Sequence, residues 1–118
     1  MEDSRRQLDS AHQRLLKELQ QSRRRVSDLA TSRKRIELKL EKLRQAKDET
    51  AAQLERARAA GDPRQTDRFS TALMGLHTQI EVAQAEWRES AAQQEPAIRQ
   101  AQQLQAAVEQ SRRGNDEG

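Results

Sequence analysis

The sequence predicts an all-α fold, a long antiparallel two-helix coiled-coil hairpin. Three observations predict it. Gln, Ala, Arg, Glu and Leu dominate a chain that is 35% charged and 33% apolar with only one Trp, one Phe and no Tyr, which is the composition of long helices rather than of a globular core. The apolar residues recur at alternating steps of four and three, which argues against the disorder that so polar a composition would otherwise suggest. Helix-stop and helix-start signals sit back to back at a single place, Ala59-Ala60-Gly61-Asp62-Pro63-Arg64-Gln65.

Helix one is expected from about residue 4 to 60. Its stripe runs Leu8, His12, Leu15, Leu19, Ser22, Val26, Leu29, Arg33, Ile36, Leu40, Leu43, Lys47, Thr50, Leu54 and Ala57. A 3.5-residue repeat sustained over seven heptads marks a coiled-coil seam. No Gly or Pro interrupts it. At about 1.5 Å per residue, fifty such residues make a rod of roughly 75 Å.

The turn is expected at residues 61–62. Gly61 can adopt the left-handed conformation that ends a helix. Asp62 can accept hydrogen bonds from the free N–H groups of the next helix, and Pro63 suits its first turn. Gln65 completes the spacing of a capping box. Helix two then runs from about 63 to 112, with seam positions Phe69, Leu73, Leu76, Ile80, Ala83, Trp87, Ser90, Gln94, Ala97, Ala101, Leu104 and Val108.

Folding the chain at Gly61-Asp62 sets Leu54 against Phe69, Leu43 against Ile80 and Ile36 against Trp87. It also sets Leu19 against Leu104 and Leu15 against Val108. Size complements, with Leu40 facing Ala83 and Arg33 facing Ser90. The turn and both seams thus agree on one register. Pro96 is the discordant residue, since a proline inside a helix costs about 3 kcal/mol. The heptad phase continues through it and no cap stands beside it, which predicts a kink rather than a break. Residues 113–118 are expected to form a frayed polar tail.

Composition also excludes functions. There is no Cys, hence no disulfide framework and no thiolate chemistry. No apolar run approaches the roughly 20 residues of a membrane span. No signal peptide follows Met1-Glu2-Asp3-Ser4-Arg5-Arg6, so the expected address is cytoplasmic. His12 and His77 fall on different helices without a ligand cluster, and Ser22 and Ser90 lack a neighbouring base. We expect no enzyme, no metal, no cofactor and no small-molecule substrate.

Charge is distributed unevenly. Residues 1–60 carry 16 Lys/Arg against 10 Asp/Glu, and residues 61–118 carry 6 against 9, which together give the net +3 of the whole chain. A basic first helix and a mildly acidic second favour lying side by side. Arg23-Arg24-Arg25 and Arg33-Lys34-Arg35 are the sharpest feature. Members of the two triplets stand about three turns apart, as Arg24 and Arg35 do, which puts both on one stripe. Such a stripe can contact an anionic membrane surface or phosphates. The competing reading is a solvated face paired with Glu37, Glu41 and acids of helix two. No aromatic accompanies the triplets in sequence, which disfavours single-stranded nucleic acid. Leu16, Leu38, Met74, Val82 and Ile98 lie off the seam and are scattered singly.

Three stretches resemble the phage-shock protein A (PspA) and vesicle-inducing plastid protein family. They are the basic Arg33-Lys34-Arg35-Ile36-Glu37-Leu38-Lys39-Leu40, the hairpin tip Ala59-Ala60-Gly61-Asp62, and the restart Thr66-Asp67-Arg68-Phe69 leading into Leu73, Leu76 and Ile80. The likeness covers roughly residues 5–110, the hairpin region of that family. It implies a scaffold that is peripheral at the inner face of the membrane and responds to envelope stress. The family's amphipathic N-terminal helix has no counterpart before Leu8, and the helices that follow its hairpin have none either. Membrane insertion and polymer assembly are therefore not carried over. The expectation is a non-catalytic module that self-associates or binds a protein partner or an anionic membrane surface. Its rivals are a nucleic-acid-binding helical arm, like the hairpin of seryl-tRNA synthetases, and a structural spacer. A secreted WXG-type hairpin is a weak rival, because Trp87-Arg88-Glu89 lacks the glycine.

Overall fold

A computed structural model describes residues 2–117, with side chains from Asp3 to Gly114. The described chain is two helices, α1 (Glu2–Ala59) and α2 (Pro63–Glu117), joined by one tight turn. It is an antiparallel all-α hairpin. Where the sequence predicts a tail from 113, α2 continues to Glu117; Gly118 lies outside the described residues. A lone glycine such as Gly114 costs about 1 kcal/mol inside a helix without having to end it.

The turn is built from local hydrogen bonds. Gly61 has a φ of 67°, the left-handed region in which a side chain is penalised. The Asp62 N–H donates to the Ala57 carbonyl and the Gly61 N–H to the Arg58 carbonyl, both at 3.1 Å. That pair of bonds is a Schellman motif and satisfies two carbonyls at the end of α1. Asp62 also caps α2, its Oδ1 accepting from the Gln65 N–H at 3.2 Å. Its backbone carbonyl accepts from the Thr66 N–H and hydroxyl. Only half of the predicted capping box forms, because the Asp62 N–H is already committed to Ala57. Pro63 opens α2 and is exposed.

The contacts divide the chain into two compact units. The tip unit is Ser32–Ser90; the terminal unit is formed by the chain up to Thr31 and from Ala91 onward. In the tip unit, Leu40, Ile80 and Ala83 are buried, with Ile36, Leu43 and Trp87 packed against them. Ala83 is completely buried, so the small side chain opposite Leu40 leaves no gap beside it. Leu54 and Ala57 are buried nearer the turn. These are the facing residues the seam register predicts.

The terminal unit buries Leu19, Ser22, Ala97 and Val108, while Leu15, Val26, Leu29, Ala101 and Leu104 are half-buried. Beyond the last predicted pair, the Ser111 hydroxyl lies 3.1 Å from His12 Nδ1. Leu8 departs from its seam role: it is 55% exposed. Pro96 sits inside α2, which stays helical across it. The ring is exposed, and so is Ala92, whose carbonyl loses its usual N–H partner. Water can hydrate that carbonyl, which is why the helix tolerates the proline on this face.

Candidate interaction surface

The two basic triplets do not present themselves as uniform blocks. In the terminal unit, Arg23 reaches across to α2 and donates to Gln105 Oε1. Gln105 in turn donates to Glu109 Oε1 at 3.3 Å. Arg24 and Arg25 remain exposed. In the tip unit, Arg33 occupies a seam position and is half-buried. Its guanidinium carbon stands 4.8 Å from the centroid of the Trp87 ring, within cation–π range. Lys34 and Arg35 are exposed. Among the described residues, the only ion pairs are Arg58–Glu55 at 3.6 Å and Arg99–Glu95 at 2.5 Å. Arg24, Arg25, Lys34 and Arg35 therefore face solvent with no carboxylate within 4.0 Å. Glu37, expected as a partner for these cations, instead accepts from the Trp87 indole N–H at 3.2 Å.

Trp87 is the residue whose setting the sequence does not reveal. Its seam position is legible, but the ring is held by three different contacts. It packs against the Leu40 cluster, Arg33 lies over it, and Glu37 takes its N–H. Sequence reasoning leaves the triplets without an aromatic; across the seam, Trp87 stands against one of their members. Ser90 makes room for this arrangement. It is buried, and its hydroxyl donates to the Trp87 carbonyl at 2.8 Å. Ser22 is buried too, but its hydroxyl finds no partner among the described residues.

Beside Trp87 lies an open groove of about 440 Å³, lined by Glu37, Leu40, Arg44, Gln84, Trp87 and Arg88. It runs between the two helices of the tip unit. A second groove of about 380 Å³ lies in the terminal unit, where Arg23, Val26, Ile98, Ala101, Gln102 and Gln105 line it.

The off-seam apolar residues are all solvent-facing. Met74 is 69% exposed, Leu38 59% and Val82 52%, with Leu16 and Ile98 less so. His77 is exposed. Among the described residues, no group of three or more His, Cys, Asp or Glu is placed to hold a metal ion. No described helix is long and apolar enough to cross a membrane. The turn residues Gly61, Asp62 and Pro63 are all exposed at the tip, where Gly61 and Asp62 make the hydrogen bonds of the turn. No family model, curated protein or solved structure matches the chain.

Proposed function

We propose that this hairpin is a non-catalytic scaffold and interaction module of a PspA-like membrane-stress protein. It acts in the cytoplasm, peripheral at the inner face of the membrane, and binds a protein partner or the anionic membrane surface. The observation that carries the reading is the set of outward cations on α1. Arg24, Arg25, Lys34 and Arg35 are exposed and have no carboxylate partner among the described residues. Each Lys or Arg near an anionic bilayer contributes about 1 kcal/mol, an attraction that salt weakens.

The test is co-sedimentation with phosphatidylglycerol vesicles against phosphatidylcholine vesicles at low and high salt. The expected result is binding to the anionic vesicles only, weakening as salt rises. Replacing Arg24, Arg25, Lys34 and Arg35 together by Gln is expected to abolish it. Absence of binding to the anionic vesicles would remove the membrane half of the proposal and leave the protein partner. Binding to RNA with a steeper salt dependence than to vesicles would replace the reading with a nucleic-acid arm.

A further inference from the structure

We infer that the groove beside Trp87 is a docking site for an acidic amphipathic helix of a partner protein. The groove belongs wholly to the tip unit and uses none of the outward triplet cations, so it stands apart from the membrane surface proposed above. Its floor and wall are apolar, supplied by Leu40 and the indole of Trp87. Its rim carries two guanidinium groups, Arg44 from α1 and Arg88 from α2. Neither has a carboxylate within 4.0 Å among the described residues. The one carboxylate in the lining, Glu37, accepts from the Trp87 N–H and keeps its charge, so two guanidinium groups stand against a single carboxylate. The lining thus carries an excess of positive charge at Arg44 and Arg88, beside an apolar surface.

An acidic amphipathic helix complements that combination. Apolar side chains three and four residues apart would enter between the helices, as a third helix does in a bundle. Glu or Asp side chains flanking them would meet Arg44 and Arg88, whose planar forks bind carboxylates in pairs of hydrogen bonds. The volume of about 440 Å³ lies in the range of groove that holds a few side chains. Trp87 is also fixed before any ligand arrives. Arg33 and Glu37 restrain its ring, so little order remains to be gained on binding.

Trp87 is the only tryptophan, so its fluorescence reports the groove directly. The probe is an acetylated, amidated peptide of repeating Glu-Leu-Leu-Glu, titrated into the full chain. The comparison peptides carry Gln or Lys in place of Glu. The expected result is a saturable shift of Trp87 emission with the Glu peptide, at least about tenfold weaker with the Gln peptide and absent with the Lys peptide. The double variant R44Q/R88Q is expected to lose about tenfold or more in affinity while keeping the helicity and melting point of the parent chain. The variant with Arg24, Arg25, Lys34 and Arg35 replaced by Gln is expected to bind the peptide within twofold of the parent. Equal binding of the Glu and Gln peptides would overturn the proposal, as would no shift with any peptide. Equal weakening by the groove and triplet variants would also overturn it, since it would show attraction by net charge alone. Phosphatidylglycerol vesicles shifting the emission with the same dependence on Arg44 and Arg88 would assign the groove to lipid and overturn the protein partner.

Discussion

The tip unit and the terminal unit share one seam pattern and fill it differently. In the tip unit, Leu40, Leu43, Ile36, Ile80 and Trp87 surround a completely buried Ala83. Two polar seam residues there have contacts of their own: Arg33 lies over Trp87, and the Ser90 hydroxyl donates to a carbonyl. In the terminal unit the seam holds His12, Ser22, Gln94, Ala97 and Ala101 among its leucines and valines. Its buried hydroxyl at Ser22 has no partner among the described residues, and an exposed proline interrupts the hydrogen-bond ladder of α2. Burial of large side chains contributes roughly 1.5–3 kcal/mol each, and alanines contribute far less. The same heptad therefore holds one unit more strongly than the other. The difference teaches that a seam's period sets register, while the volume and hydrogen bonding of its residues set strength.

The largest expected effect tests that asymmetry directly. Leu40→Ala should cost about 3 kcal/mol, because Ala83 opposite is too small to fill the space. The matching change in the terminal unit, Leu19→Ala, should cost about 2 kcal/mol, since its half-buried surroundings can collapse. Urea unfolding of both variants checks the order, and a larger loss from Leu19→Ala would reverse the ranking. Next comes Pro96→Ala, which should stabilise by about 2 kcal/mol by restoring the N–H to the Ala92 carbonyl and relieving the ring. Amide exchange should slow in α2 beyond Ala91; protection that stays level would mean the helix already compensates there.

Smaller still, Ser22→Ala should raise stability by about 1 kcal/mol by removing a buried hydroxyl without a partner. Ser90→Ala should be nearly neutral or slightly harmful, as it gives up the bond to Trp87. Thermal melts of the two variants moving by the same amount would erase this part of the contrast between the units. Asp62→Ala should cost about 1 kcal/mol through loss of the cap on Gln65. It should leave the relative protection of the two units unchanged in amide exchange.

The sequence makes the fold legible because its signals agree. The stop at Gly61 and the cap at Asp62 place the turn. The alternation from Leu15 to Ala57 and from Phe69 to Val108 then places nearly every buried residue, including the pair Leu40–Ala83. Leu8 escapes this logic, since periodicity cannot tell where a seam stops being covered. Off-seam Leu38, Met74 and Val82 are legible as exposed from their phase alone. The grouping of Trp87 with Arg33, Glu37 and the Arg44–Arg88 rim is not legible. It depends on which rotamers long polar side chains choose across the seam, and heptad spacing does not encode that. The reach of Arg23 to Gln105 is hidden for the same reason.

The turn has a kinetic consequence. Every hydrogen bond that shapes it lies within Arg56–Thr66, so closing it orders few residues and demands little loop entropy. Each facing pair beyond it then adds to a loop already closed. Folding that grows outward from the tip follows, with low contact order and a high rate. In stopped-flow measurements, Leu54→Ala beside the turn should slow folding, whereas Val108→Ala in the terminal unit should mainly hasten unfolding. Folding slowed to the same degree by both would place the nucleus elsewhere. The residues that make the tip a tight corner would in that case act only after the helices had met.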